Sequence, residues 1–529
     1  MTFYDDVLTT ILQQHITSKR EVHQLKIRLC KLYHMKHIPS NADVIEHISD
    51  KYSVQDQKKL LYILQRKPMR TISGVAVVAI MTSPARCPHG CCTPCPGGIE
   101  THSPQSYTGH EPAAMRGDMH HYDPFQQVQA RLHQLKSIGH SIDKIDMIIM
   151  GGTFTSRLPW YREWFIKRCY DALNQSDALS LQHAKQINET ADHRCIGLTV
   201  ETRPDWLRLQ QLDDILFYGA TRVELGVQTV DDTKLYSINR GHTVTDTIDT
   251  TRIAKDAGLK VCYHIMPGLP NSTPNSDVNT IKTLFQNPDF QPDMLKIYPT
   301  LVIKNTPLYD EWKTGNFQPL TTENATDIIS KMIQYIPEYV RIQRIQRDIP
   351  AQYIDAGVKK SNLRQLVEKD ISNKKWINHE IRSREIGHTI HKHNFNDLND
   401  SIKLQKTTYA ASKGKEIFLS LCINTPDLLI GYLRLRLCWN PYRHELNQHP
   451  CMIIRELKIL GKEIPLGENE KTAWQHQGFG KQLVLEAERI SAEDYDAQSI
   501  AVLSGVGVKS YYRKYLGFKD NGVYLIKNL

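Results

Sequence analysis

Four cysteines, Cys87, Cys91, Cys92 and Cys95, crowd into C-P-H-G-C-C-T-P-C-P-G-G (87–98), directly after the apolar run V-A-V-V-A-I-M (75–81). Two ligand spacings are open: Cys87-x4-Cys92-x2-Cys95, or Cys87-x3-Cys91-x3-Cys95. Three thiolates on one short loop hold three irons of a 4Fe-4S cluster and leave the fourth iron with a vacant position. Structural zinc instead wants four protein ligands in two knuckles, and only one Cys-x2-Cys is present. The seven remaining cysteines are scattered, mostly in apolar stretches, and read as small buried hydrophobes. A second constellation is Gln475-His476-Gln477-Gly478-Phe479-Gly480-Lys481, with Leu483, Val484, Ala487 and Ile490 at helical spacing behind it. Glycines opening a helix expose backbone N–H groups to a diphosphate at the positive helix end.

The elements that must position these residues are legible as alternating patterns. Apolar strands are expected at Val75–Met81, Ile145–Met150, Ile196–Val200, Arg222–Val227, Leu259–Met266 and Met294–Tyr298, with helices at 123–139, 159–174, 205–217 and 243–257. Six βα units with nearly continuous apolar strands predict a parallel sheet, open or curled into a partial barrel. Ligand chemistry on such a sheet belongs at the carboxyl ends of the strands. There stand the cysteine loop, Gly151-Gly152-Thr153, Glu201-Thr202-Arg203, Gln228, and Lys296 leading to Tyr298. An open iron beside such a mouth suits S-adenosylmethionine: Gly151 and Gly152 permit close approach, and Glu201, Arg203 and Gln228 are candidates for ribose, carboxylate and adenine. One-electron reduction would split the sulfonium, chemistry that belongs to the cofactor.

The 529 residues divide into an expected basic helical segment (1–73), the βα region (74–370), a polar linker (371–400) and a second module (401–529). That module is expected to hold strands at 417–423, 428–437 and 452–460, the glycine loop, a helix to about Ser491, and a closing strand–helix–strand. The composition, 40% hydrophobic and 23% charged, excludes a disordered chain. No apolar run is long enough for a membrane span, and the start M-T-F-Y-D-D does not read as a signal peptide, so a cytoplasmic location is expected. The net charge of +9 suits a polyanionic partner. Residues 1–73 carry 12 Lys/Arg against 7 Asp/Glu, and Lys19, Arg20, Lys26, Arg28 and Lys31 lie opposite an apolar helical face.

Taken together, C-P-H-G-C-C-T-P-C-P-G-G (87–98), M-G-G-T-F (150–154), E-T-R-P-D (201–205), R-V-E-L-G-V-Q-T (222–229) and R-I-Q-R-D-I-P (344–350) resemble the catalytic subunit of Elongator, within the radical S-adenosylmethionine superfamily. The resemblance spans nearly the whole chain. It implies an α/β fold class: a partial (β/α)6 radical barrel, then an α+β acetyltransferase domain of the GNAT type, with a helical amino-terminal segment. It selects Cys87, Cys92 and Cys95 as iron ligands and leaves Cys91 aside. The loop Gln475, Gln477, Gly478, Phe479, Gly480, Lys481 resembles the acetyl-CoA loop of GNAT enzymes, which puts Tyr511 or Tyr512 near the thioester. Glu456 is then a candidate base, or equally a salt-bridge partner, and Lys296 a candidate contact to base or acetyl group. The family's reaction implies that a deoxyadenosyl radical takes hydrogen from the acetyl methyl, that the carbon radical adds to carbon 5 of a wobble uridine, and that thioester hydrolysis leaves 5-carboxymethyluridine.

Implied partners are the tRNA anticodon loop, an electron donor, and Elongator-like subunits or a second copy, with no membrane. Candidate tRNA contacts are the amino-terminal cations and Arg341, Arg344 and Arg347. Two departures stand out: Pro94 replaces a frequent aromatic, and Asn378, Glu380 and Ser383 stand where relatives carry zinc-binding thiols. No zinc is therefore expected. The rival readings are a protein lysine acetyltransferase with a structural cluster and a tRNA-binding scaffold that has lost catalysis.

Overall fold

Thr2, Ser18, Ser40 and Ser53 each precede an acidic residue by three positions, and each caps a helix: α1 (Phe3–Gln13), α2 (Lys19–Leu32), α3 (Asn41–Ile45) and α4 (Val54–Leu64). The cap hydroxyl accepts an orphan N–H, and in the first three the acid bonds back to the cap. These helices share a core around Val7, Leu8, Leu25, Val44, Leu60 and Leu64. The packing corrects part of the basic face. Lys26 is buried, with its ammonium on the Pro39 carbonyl and Asn41 Oδ1, both at 2.8 Å. Lys19 donates to the Gln65 carbonyl at 2.7 Å, while Arg20, Arg28 and Lys31 stay exposed. The computed structural model describes residues 2–66, 71, 74–388, 401–425, 427–461 and 478–529.

Seven parallel strands follow in sequential order: β1 (Ala76–Met81), β2 (Lys144–Met150), β3 (Arg194–Thr202), β4 (Arg222–Gln228), β5 (Lys260–Ile265), β6 (Met294–Ile297) and β7 (Arg341–Ile345). β1 and β7 pair on one side only, so the sheet is an open barrel wrapped by helices such as Pro124–Ser137 and Val244–Asp256. The seventh strand exceeds the expected six. R-I-Q-R-I interleaves cations with the buried Ile342 and Ile345, so the edge strand carries the pattern of a basic run. Arg341 accordingly forms a buried ion pair with Glu385 rather than an exposed nucleic-acid contact.

The second sheet is mixed, in the order β13-β14-β12-β11-β10-β9-β8. Its strands are β8 (Ile402–Ala411), β9 (Gly414–Ile423), β10 (Leu428–Leu437), β11 (Cys451–Ile459), β12 (Ser499–Val502), β13 (Lys519–Asn521) and β14 (Tyr524–Asn528). β8 was not expected: I-K-L-Q-K-T-T-Y-A-A is a half-exposed edge strand whose polar face hides its period. β11 and β12 pair in parallel only up to Ile454 and Val502, then part. Part of the stretch read as linker is packed: Ile371, Ile381 and Ile386 belong to the core that runs through both sheets.

The sheets are joined by buried charge. Arg455 on β11 bonds Asp293 (2.9 and 2.5 Å), Glu416 (2.8 Å) and the Leu259 carbonyl (2.8 Å). Arg436 on β10 bonds Asp256 (2.7 Å) and Glu416 (3.0 Å), and Lys255 lies 3.3 Å from Asp293. Burial raises the Asp293 carboxyl, but Arg455 and Lys255 outweigh it and hold the group well below the usual range. Gly505 completes the joint: a Cβ there would lie 2.1 Å from the Ile196 carbonyl oxygen of β3.

Candidate active site

Two clefts open at the two ends of the same barrel. The upper one, about 150 Å³, lies at the carboxyl ends of the strands and is lined by Cys87, Cys92, Cys95, Gly152, Thr153, Glu201, Arg203 and Gln228. Cys91 is exposed, and its thiol faces the carbonyls of Cys92 (3.5 Å) and Cys95 (3.8 Å). Each of the other three sulfurs faces an N–H donor: Arg203 on Cys87 (3.9 Å), Arg240 on Cys92 (3.4 Å) and Gln105 on Cys95 (3.2 Å). The His89 ring lies between Cys87 (3.1 Å) and Cys92 (2.9 Å). Burial pushes the Cys87 and Cys92 thiols up, with Arg240 opposing it at both. Donors on all three sulfurs fit a set of anionic thiolates. Arg240 and Gln105 lie outside the cysteine loop and no spacing ties them to its sulfurs, while His89 stands inside the loop, where its type alone assigns it no role beside the thiols.

Around the sulfurs, the backbone makes room for a ligand. Gly151 and Gly152 have φ of 129° and 89°, and a Cβ on Gly151 would strike Thr82 Oγ1 at 2.0 Å. Gln228 has φ 71°, beside an irregularity in the β4–β5 register, and its buried Oε1 has no partner among the described residues. An orphaned acceptor aimed into a cleft fits a donor on a bound ligand. Tyr107 donates to Glu201 at 2.7 Å, and Arg203 forks onto Asp205 at 2.9 and 2.8 Å.

Lys296 does not line the cleft; it lies one layer beneath, paired with Glu224 and 3.8 Å from Glu201. Burial lowers its pKa, but Glu224, Tyr298 and Glu201 more than compensate, so it is a fixed cation. Glu224, Cys262 and His264 have ligand atoms within 4.8 Å of one another, and the Lys296 ammonium supplies the positive charge there. Arg344 bonds Asp348 at 2.5 Å, and Arg347 bonds the Ser106 carbonyl; both line the upper cleft.

The lower cleft, about 1090 Å³, opens where β11 and β12 part. Glu456, Gly478, Phe479, Gly480, Lys481, Tyr511 and Tyr512 line one wall. Gly478 (φ 85°) caps the eleven-residue helix Phe479–Arg489. Gln475 and Gln477 lie outside the described residues. The opposite wall is the amino end of the barrel, with Lys144, Asp146, Arg194, Arg222 and Lys260, none of them foreseen. Among the described residues the side chains of Lys144, Arg194, Lys260 and Lys458 make no ion pair within 4.0 Å, which leaves a cation-rich cavity suited to an anionic ligand. Glu456 accepts from Arg434 at 2.8 Å; burial raises its pKa, but Arg434, Lys260 and Lys458 outweigh this, making it a poor base. Burial pushes the Tyr511 and Tyr512 phenols up.

One layer separates the clefts. On β4, Arg222 faces the lower and Glu224 the upper, with 3.7 Å between their charged groups, and Arg222 also bonds Asp146 at 3.1 Å.

Comparison with known proteins agrees with this architecture. Residues 1–72 match the ELP3 N-terminal domain, 81–284 the Radical SAM superfamily and 292–373 the Radical SAM C-terminal domain. A "tRNA uridine(34) acetyltransferase" of Methanocaldococcus infernus is 48% identical, over 97% of this chain and 96% of its own. "Elongator complex protein 3" of Saccharomyces cerevisiae is 41% identical, over 99% and 94%. The solved structure of the Methanocaldococcus infernus Elp3 lacking residues 1–46 matches with a TM-score of 0.77 and 45% identity, covering 87% of this chain and 100% of that one. With family matches along the barrel and full-length relatives at this identity, the chain belongs to the Elp3 family.

Proposed function

We propose that this chain is a tRNA carboxymethyluridine synthase, which joins the two carbons of an acetyl group from acetyl-CoA to carbon 5 of a wobble uridine. The observation that carries the reading is the pair of clefts on one barrel: three donor-faced thiols at one end, and at the other a roomy cavity ringed by cations that form no ion pair within 4.0 Å among the described residues. Membership of a family whose named relatives act on tRNA uridine 34 supports the substrate.

Cys87, Cys92 and Cys95 would hold a 4Fe-4S cluster, with S-adenosylmethionine beside Gly151, Gly152 and Thr153. When bound, that pair supplies a carbon radical strong enough to take hydrogen from an unactivated methyl group. Glu201 and Gln228 offer acceptors for a ribose and an adenine, while Arg203, tied to Asp205, orients the cysteine loop through Cys87. Lys296 keeps Glu224 ionised at the floor, presenting fixed charge to a reacting carbonyl or base. In the lower cleft, Gly478, Phe479, Gly480 and Lys481 receive the diphosphate, with Tyr511 and Tyr512 as neighbours of the acyl group.

The tRNA anticodon loop meets the upper rim at Arg344 and Arg347, with Arg20, Arg28 and Lys31 tracking phosphates. An external reductant is required, and further Elongator-like subunits or a second copy are candidate partners. A cytoplasmic location is proposed on the same grounds; no helix among the described residues is long and apolar enough to cross a membrane.

Anaerobic reconstitution with iron, sulfide and a reductant tests the reading. With tRNA, S-adenosylmethionine and acetyl-CoA together, 5'-deoxyadenosine and a modified wobble nucleoside are expected. Acetyl-lysine as the product, with no 5'-deoxyadenosine, would refute it.

A further inference from the structure

Cleaving a thioester with water needs a group that takes a proton near neutral pH and returns it to the departing sulfur. In the lower cleft most candidates fail. Glu456 is held down by Arg434, Lys260 and Lys458, Tyr511 and Tyr512 are pushed up by burial, and arginine does not give up its proton. Burial lowers two lysines of the cleft, Lys458 and Lys260, and of these Lys260 is the one on the barrel wall, across the cavity from the glycine loop. It opens β5 on the same inward face as Cys262 and His264, and it lines the cavity opposite Glu456. The charged groups facing it are Asp146 from β2, Arg222 from β4, and Glu456 and Arg455 from β11. Both carboxylates are committed elsewhere, Asp146 to Arg222 at 3.1 Å and Glu456 to Arg434 at 2.8 Å, so neither pins the ammonium. Burial, only partly offset by Glu456, brings Lys260 down to about 8.

We propose that Lys260, a residue of the radical barrel, is the general base and then the general acid for acyl-thioester hydrolysis in the lower cleft. This rests on the acyl-CoA reading of that cleft. The neutral amine takes a proton from water as the water oxygen bonds to the acyl carbon. The carbon–sulfur bond then breaks, and the ammonium returns its proton to the thiolate. The products are a carboxylic acid, which ionises to solvent, and free CoA thiol, and no oxidant or reductant is consumed. The acyl site is thereby incomplete in the carboxy-terminal module alone.

The test follows CoA release from acetyl-CoA by the full chain with tRNA, from about pH 6 to about pH 10, beside acetyl-CoA affinity by equilibrium dialysis. The wild type should rise to a plateau with an inflection near pH 8. Lys260→Arg keeps the charge but cannot act as a base, so it should lose about 100-fold in rate and lose the inflection, with affinity changed less than about threefold. Glu456→Gln should move the inflection to lower pH, because removing the anion destabilises the ammonium. A Lys260→Arg enzyme that keeps both rate and inflection overturns the assignment. A wild type that binds no acetyl-CoA overturns the cleft reading beneath it.

Discussion

The two ends of the barrel are built on opposite principles. At the carboxyl end the cleft is small and its polar groups are nearly all engaged: a donor stands on each of three sulfurs, Tyr107 on Glu201, and Arg203 on Asp205. At the amino end the cavity is some sevenfold larger by the ratio of 1090 to 150 Å³, and several cations face it with no ion pair within 4.0 Å among the described residues. The contrast separates two kinds of site. One is pre-organised by its own hydrogen bonds; the other offers room and cationic charge. They share one wall, a single layer around Arg222 and Glu224, and a buried joint fixes the second sheet against it.

The comparison breaks most sharply at the cysteines. Cys92→Ser should abolish bound iron and 5'-deoxyadenosine formation while leaving acetyl-CoA affinity intact, read by iron analysis and dialysis. Loss of both would mean that the ends are not independent. Cys91→Ser, by contrast, should change neither quantity.

Next in size is the joint. Removing one partner of a buried ion network costs about 3–5 kcal/mol, so Asp293→Ala should destabilise both ends together in chemical denaturation. Because the folded Asp293 carboxyl is held below its unfolded value, its contribution is present above that unfolded pKa and lost as the pH falls. Stability should therefore drop below about pH 4, and less so in the variant. Unfolding of the second sheet alone would show that the joint is loose.

Gly505→Ala should act at one end only. The Ile196 carbonyl must give way, which should raise the KM for acetyl-CoA by about tenfold without touching S-adenosylmethionine cleavage. The smallest effect sharpens the amino-terminal surface. Arg28→Glu should weaken tRNA binding and lower the salt slope by about one, whereas Lys26→Met should lower the melting temperature and leave the slope alone.

These differences also explain what was readable beforehand. The upper cleft was legible because its chemistry sits in short contiguous motifs at strand ends, where Cys87–Cys95, Gly151–Thr153 and Glu201–Arg203 announce themselves. Arg240 was not, since its role depends on a fold that brings the segment following β4 and its short helix against the cysteine loop, and His89, though inside the loop, acts through ring contacts that the motif does not announce. The lower cleft was half legible. Its glycine loop and tyrosines have a local pattern, but the rule that directs attention to carboxyl ends steers it away from Lys260 and Arg222 at the amino ends. Edge strands hid for a simple reason: β7 and β8 bury one face at most, so cations and threonines diluted their apolar signal. Charge on a sequence is equally ambiguous, as Lys26 and Arg341 illustrate by turning inward to bind carbonyls and a carboxylate.

Carbon tracing puts the central idea, that the thioester cavity feeds the thiol-lined one, to its most direct trial. Acetyl-CoA labelled at both acetyl carbons with carbon-13 is supplied to the reconstituted enzyme with tRNA, and the digested nucleosides are weighed by mass spectrometry. The account predicts a wobble nucleoside carrying both labelled carbons in a carboxymethyl group, formed with 5'-deoxyadenosine. An unlabelled nucleoside, or label confined to protein lysines, would contradict it.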